Sequence, residues 1–177
     1  NVDDPHIRNM PTKARKINFG QGPENFFNAQ IIQQLNGFPI LAIKSQQNVY
    51  EVQLAIPGNH NLYNALAAFA IATLLGVPEA KSIQAMAQFR PGASRMELLQ
   101  LKDKLVLNDC YNANPASMRV ALQTLQDLGK GKKTLAILGE MFELGNNAKP
   151  AHEELGRQTA GFGINALVTI GSYAEVT

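Results

Sequence analysis

The chain has 177 residues, 45% hydrophobic and 17% charged, with a formal net charge of +2 at pH 7, which is the make-up of an ordinary globular protein long enough to bury a core. The small, scattered positive charge argues against a nucleic-acid surface, and the basic clusters at 13–16 (KARK) and 130–133 (KGKK) read as solvated turns. A single cysteine, Cys110, excludes an intrachain disulfide, the first residues have no leader-like pattern, and the longest apolar stretch (65–75) is short of the ~20 residues of a membrane span, so a cytoplasmic chain without a span is expected.

The opening, NVDDPHIRNM, is a polar, turn-like cluster of the kind that follows a strand, and no methionine starts it; a piece of a longer chain is expected. From Lys16 to Ile56, β-type runs alternate with turns: KINFG, FFNAQII, FPILAIKS after Asn36-Gly37, and NVYEVQLAI. Asn-Gly between apolar runs is a strong hairpin signal, and an antiparallel sheet is predicted here. At 57–78 alanine and leucine take over and apolar side chains cover nearly the whole helical circumference, which predicts a buried helix ended by Gly76 and Pro78. A second helix follows at 79–89. Residues 95–109 (RMELLQLKDKLVLND) read as two strands around Lys102-Asp103. A helix at 115–128, a strand at 133–138, a loop at 139–145, a helix at 150–161 and a strand at 166–170 come next. Strands alternating with helices imply βαβ units and a parallel sheet. The expected fold class is therefore α/β, with a first unit at 1–95 and a second, incomplete one at 96–177.

Within GNHNLYNA (58–65), Asn61 is a plausible N-cap that Asn64 could reach back to complete. The same helix start also presents free N–H groups suited to an anion or a polar ring, and the donor and acceptor of Asn64 match adenine N6 and N7. His60 reads as an ordered structural imidazole. In NDCYNANPASM (108–118), Asn114 as N-cap and Pro115 at the first helical position explain part of the polarity. Asp109 is left over: it ends a strand, with its carboxylate at the carboxyl edge of the predicted sheet, where open α/β sheets bind ligands, and it could accept both hydroxyls of a ribose. Cys110 as a nucleophile needs a base, and the only histidines, His6, His60 and His152, are distant in sequence; its thiol reads as incidental. Arg95 follows a PGAS turn between the two units, where it either forms a surface interdomain salt bridge or offers its guanidinium fork to a phosphate. Glu140 and Glu143, in the loop between Gly139 and Gly145, either bind a cationic amine or are solvated. No GxxxxGK[ST] phosphate loop occurs in the chain.

In their order and spacing, GNHNLYNALAA, SRMELL, NDCYNANPASM, ILGEMFELG and HEELGR resemble the Mur ligases, the ATP-dependent amide ligases that build the peptidoglycan peptide. The resemblance runs over essentially the whole chain. Within the family, D-x-Y-N-A-N-P is similar to the string of the ligases that join D-alanyl-D-alanine to UDP-N-acetylmuramoyl-tripeptide; siblings carry a histidine- or lysine-containing string there. The resemblance implies the end of a P-loop-type central domain followed by a truncated Rossmann-like C-terminal domain. It further implies ATP and Mg²⁺ as cofactors and an acyl-phosphate intermediate; a monomer is expected. By the same resemblance Asn64 would hold the adenine, Arg95 the γ-phosphate as the catalytic residue, and Asp109 the ribose, while Tyr111, Asn112 and Asn114 would line the nucleotide and substrate face. Three positions depart from the family pattern: Ser94 stands where glycine is usual, Cys110 where serine is, and Glu140 where aspartate is. The phosphate loop and metal ligands of the family lie upstream of Asn1, so these residues alone are expected to be inactive. Two other readings stay open, a sibling ligase with another amino acceptor and a non-catalytic nucleotide-binding paralogue.

Overall fold

Asn36 and Gly37 sit at φ 53° and 82°, the pair of left-handed residues that a two-residue hairpin turn requires, and the chain reverses there as its Asn-Gly signal predicts. The computed structural model describes all residues, Asn1–Thr177, and divides into two compact units, Asn1–Arg90 and Pro91–Thr177.

In the first unit a short helix, α1 (Pro5–Arg8), is capped by the Asp4 carboxylate, which accepts from the His6 and Ile7 amides. The sheet runs β1 (Phe19–Gly20), β2 (Phe27–Leu35), β3 (Phe38–Lys44), β4 (Val49–Gln53), in that order. The β2–β3 and β3–β4 pairs are antiparallel as predicted, whereas β1 is a two-residue strand lying parallel to β2. Along β3 the side chains alternate, Leu41 and Ile43 fully buried, and they meet one face of α2 (Asn61–Leu74). Leu62, Leu66 and Phe69 of α2 complete this core, with the Phe69 ring edge-on to Phe27 at 5.8 Å. The circumferentially buried helix expected at 57–78 is buried on one face only: Ile71, Leu74 and Leu75 are 60%, 50% and 79% exposed, since one sheet and α3 (Glu79–Gln88) do not surround it. Gly76, at φ 84°, ends α2 in a Schellman arrangement, with Val77 N–H donating to Ala72 C=O at 2.9 Å and Gly76 N–H to Thr73 C=O at 3.0 Å.

The second unit opens with a hairpin, β5 (Glu97–Leu101) and β6 (Lys104–Asn108), turning at Lys102-Asp103 as read from the sequence. Then come α4 (Pro115–Leu128), β7 (Leu135–Leu138), α5 (Ala148–Gly161) and β8 (Ala166–Thr169). β7 and β8 pair in parallel, the product of the predicted βαβ alternation. β6 does not join them. Its partner is β5 alone, so the parallel sheet is smaller than the alternation implied, because a tight turn gives β6 a neighbour only two residues away. Leu122 of α4, Ala136 of β7, Met141 and Leu155 of α5 form the buried centre, so both helices cover one face of the β7–β8 pair. On the other face Leu135, Ile137 and Ile170 are 51%, 63% and 61% exposed. The fold class is α/β, and no helix is long and apolar enough to cross a membrane.

Candidate functional site

Arg95 is bracketed by two non-glycine residues in the left-handed region, Ser94 at φ 59° and Met96 at φ 52°. Each such residue costs about 1–2 kcal/mol unless its surroundings hold it. The base of the β5–β6 hairpin does the holding. Ser94 N–H donates to Glu97 Oε2 at 3.1 Å, Met96 N–H to Asp109 Oδ1 at 2.9 Å, and Tyr111 N–H to Ser94 C=O at 3.0 Å. Asn108 Nδ2 donates to the same Glu97 oxygen at 3.1 Å. The Met96 side chain is buried beneath. This clamped kink projects Arg95 outward, with its guanidinium carbon 3.8 Å from the centroid of the Tyr111 ring. The four ion pairs of the molecule, Lys104–Asp103, Lys130–Asp127, Lys149–Glu153 and Arg157–Glu154, do not include Arg95, and no hydrogen bond to protein uses its donors. Within its own unit the fork of Arg95 is uncommitted.

Three of the sequence-predicted residues, Arg95, Asp109 and Tyr111, are thus brought together by one hydrogen-bonded kink. Asp109 is not at the carboxyl edge of the parallel sheet, because β6 lies outside that sheet; it sits in the loop between the hairpin and α4. One of its oxygens accepts the Met96 amide, which leaves the other for a ligand. Further along the loop, Asn112 Oδ1 accepts the Ala113 N–H at 2.9 Å. Asn114 caps α4 as predicted: its Oδ1 accepts the Ser117 amide at 2.9 Å and Ser117 Oγ accepts the Asn114 amide at 3.0 Å, a reciprocal capping box. Its amide oxygen is therefore committed to the helix, and only the Nδ2 donors remain. Cys110 is exposed, its Sγ 3.0 Å from Asn108 Oδ1, and no histidine forms a nucleophile–base pair with it.

Asn64 belongs to the first unit, exposed in the first turn of α2. Asn61 is not the N-cap. His60 occupies that position, and the chain winds into the helix through i→i−3 bonds, in which the amides of Asn61, Leu62 and Tyr63 donate to Gly58, Asn59 and His60. The anion site expected from free N–H groups is correspondingly reduced. The two amides do interact, Asn64 Nδ2 donating to Asn61 Oδ1 at 3.0 Å and Asn61 Nδ2 to Pro57 C=O at 2.8 Å. The Asn64 oxygen and its second N–H stay available, still a donor–acceptor pair for a purine edge. The adjacent Tyr63 phenol is raised from its ordinary value by burial, with the Gln21 amide that donates to its oxygen at 2.6 Å opposing and Asp3 adding to the rise.

Glu140 has a structural bond of its own. Its Oε2 accepts the Ser172 amide at 2.9 Å and pins the 139–145 loop to the turn after β8, where Gly171 at φ 119° approaches it too closely for a Cβ. Sequence reasoning missed Glu97 and the structural part played by His152. His152 is buried, accepts the Met141 N–H at Nε2 (3.0 Å), donates from Nδ1 to Ala148 C=O (2.8 Å), and stacks on Tyr173 at 4.6 Å. Their only sequence signals were the strings SRMELL and HEELGR.

The Mur ligase middle domain matches residues 1–72, and the Mur ligase, glutamate ligase domain matches residues 94–176. The chain belongs to the Mur ligase family. Asn64 falls in the middle-domain match and Arg95, Asp109, Tyr111, Asn112 and Asn114 in the second. This Mur ligase chain is similar to the UDP-N-acetylmuramoyl-tripeptide--D-alanyl-D-alanine ligase of Bacillus subtilis (strain 168), 31% identical over 171 residues, which covers 96% of this chain and 36% of that protein. Among solved structures it is similar to a MurF from Acinetobacter baumannii, with a TM-score of 0.82 at 30% identity over 89% of this chain and 34% of that one. The same fold occurs in a MurF ligase from Thermotoga maritima solved in complex with ADP, with a TM-score of 0.83 at 24% identity, covering 99% of this chain and 40% of that one. The Mur ligase chain described here spans about a third of the length of the curated relatives it matches.

Proposed function

We propose that these residues are the nucleotide-facing part of an ATP-dependent ligase that joins D-alanyl-D-alanine to UDP-N-acetylmuramoyl-tripeptide in peptidoglycan synthesis. The observation that carries this reading is Arg95, an exposed arginine with no protein partner for its fork, held beside a half-free carboxylate, Asp109, on a rigid kink. Such a fork suits a phosphate, and the remaining Asp109 oxygen suits a ribose hydroxyl. Asn64 reads the adenine edge, and Tyr111, Asn112 and Asn114 line the nucleotide and substrate face. The similarity to the Bacillus subtilis ligase over nearly the whole chain supports the same assignment.

In the proposed reaction the γ-phosphoryl group of ATP passes to the terminal carboxylate of the tripeptide, giving an acyl phosphate and ADP. The dipeptide amine then attacks the acyl carbon and displaces phosphate, forming the amide. Arg95 serves the first step by holding the transferring phosphoryl oxygens, where charge is spread in the transition state. Mg²⁺ would neutralise phosphate charge, and no group of three His, Cys, Asp or Glu side chains in this chain could hold a metal. A monomeric, cytoplasmic protein is part of the proposal.

The test is phosphate release by the full-length protein that contains these residues, with ATP, Mg²⁺ and UDP-N-acetylmuramoyl-tripeptide, comparing D-alanyl-D-alanine with single amino acids. Release that depends on the dipeptide is expected. Release with a single amino acid would reassign it to a sibling ligase, and none with any acceptor would make it a non-catalytic nucleotide-binding paralogue. The 177 residues alone, which contain no GxxxxGK[ST] loop, are expected to show no turnover.

A further inference from the structure

The ligase reading gives Arg95 a phosphate and leaves Tyr111 with no part of its own beyond lining the site. We propose that Tyr111 is the positioning residue for Arg95, a flat support that fixes the plane of the guanidinium and turns its donor edge outward to a phosphate-type anion; the choice of anion rests on the ligase reading. The geometry points to stacking. The guanidinium carbon lies 3.8 Å from the ring centroid, close enough for the face of the guanidinium to lie on the ring. A stacked guanidinium keeps its five N–H donors in its own plane, away from the ring, so the ring and an anion do not compete for them. Here none of those donors is taken by protein.

Two features show that the pair is built as one unit. Tyr111 N–H donates to Ser94 C=O at 3.0 Å, so the backbone carrying the ring is tied directly to the backbone carrying the arginine. The kink that aims Arg95, with Ser94 and Met96 in the left-handed region, is locked by Glu97 and Asp109, so only the side chain remains to be ordered. An exposed arginine loses much rotamer freedom when it grips a ligand, and a ring that already holds it reduces that loss. Tyr111 is 65% exposed and absent from the hydrophobic core, and its hydroxyl makes no hydrogen bond, so the face of the ring is what the position uses.

The experiment compares wild type, Tyr111→Phe and Tyr111→Leu. In protein labelled at arginine, the δ-methylene protons of Arg95 are expected upfield in wild type and Tyr111→Phe, and at their ordinary shift in Tyr111→Leu. In the full-length protein Tyr111→Leu is expected to raise KM for ATP about two- to fivefold, the size of an exposed cation–π contact, with the Tm unchanged. Tyr111→Phe keeps the ring and retains the low KM. The same Arg95 shift in all three proteins, or an unchanged KM for ATP in Tyr111→Leu, would overturn the proposal. A wild-type protein that turns nothing over would count against the ligase reading alone. Tripolyphosphate titrated against the Arg95 Nε–H signal then replaces ATP, and equal affinity in wild type and Tyr111→Leu would overturn the positioning role.

Discussion

One Asp109 oxygen holds the Met96 amide and the other is proposed for a ligand, and two substitutions separate these roles. Asp109→Asn keeps an acceptor for the Met96 amide and removes the negative charge; nucleotide binding by the full-length protein is expected to weaken with little change in Tm. Asp109→Ala leaves the Met96 N–H without its partner at the base of the kink, and is expected to cost about 1–3 kcal/mol of stability in denaturant titration as well. Equal Tm values for the two variants would show that the Met96 bond is immaterial. At Arg95, lysine keeps the charge and loses the planar fork and its fit to a ring. Arg95→Lys is expected to lower kcat/KM for ATP by about 10- to 100-fold while the melting temperature holds; a loss of less than twofold would remove this residue from phosphate recognition. Proximity of Arg95, Asp109 and Tyr111 was half legible in the sequence. Two strands around Lys102-Asp103 place Glu97 opposite Asn108 and so bring the flanking residues together. The left-handed backbone at Ser94 and Met96 was not legible, because neither residue type signals it.

Helix boundaries followed local chemistry where the chemistry was of one kind. Asn114-Pro115 reads as a helix start and is one, and Asn114→Ala is expected to cost about 0.5–2 kcal/mol, measurable by urea unfolding. Gly76 reads as a helix stop and is one; with φ 84° and open space around it, Gly76→Ala is expected to cost about 1 kcal/mol from backbone strain alone, with no clash. At α2 the same reasoning misplaced the cap by one residue, since the turn of i→i−3 bonds before the helix supplies the partners that an Asn61 side chain would have supplied. Strand pairing was the other failure. Alternation of strands and helices reveals that β7 and β8 are parallel, yet it carries no information on which neighbour β6 takes, because pairing is decided by contacts remote in sequence.

Across the whole molecule the two units have separate cores of unequal depth. Eleven buried hydrophobic residues, among them Phe27, Leu41, Leu66 and Phe69, cluster in the first, against Leu122, Ala136, Met141 and Leu155 in the second. The second unit is therefore expected to open more readily, which hydrogen exchange checks directly: amides of α4 should exchange faster than those of β3. Exchange at equal rates would contradict it. Unequal cores were foreseeable only in part, as the apolar content of 135–138 and 166–170 is high and it is the structure that leaves one face of those strands bare. The kink at Ser94–Met96 is set in the second unit. Hydrogen bonds to Glu97 and Asp109 hold it, and none of its residues belongs to that unit's buried cluster of Leu122, Ala136, Met141 and Leu155. By mass action, any ligand that engages Arg95 and Asp109 only when the kink is formed stabilises it by RT ln(1 + L/Kd), L being its free concentration, and so becomes a component of the fold of this half.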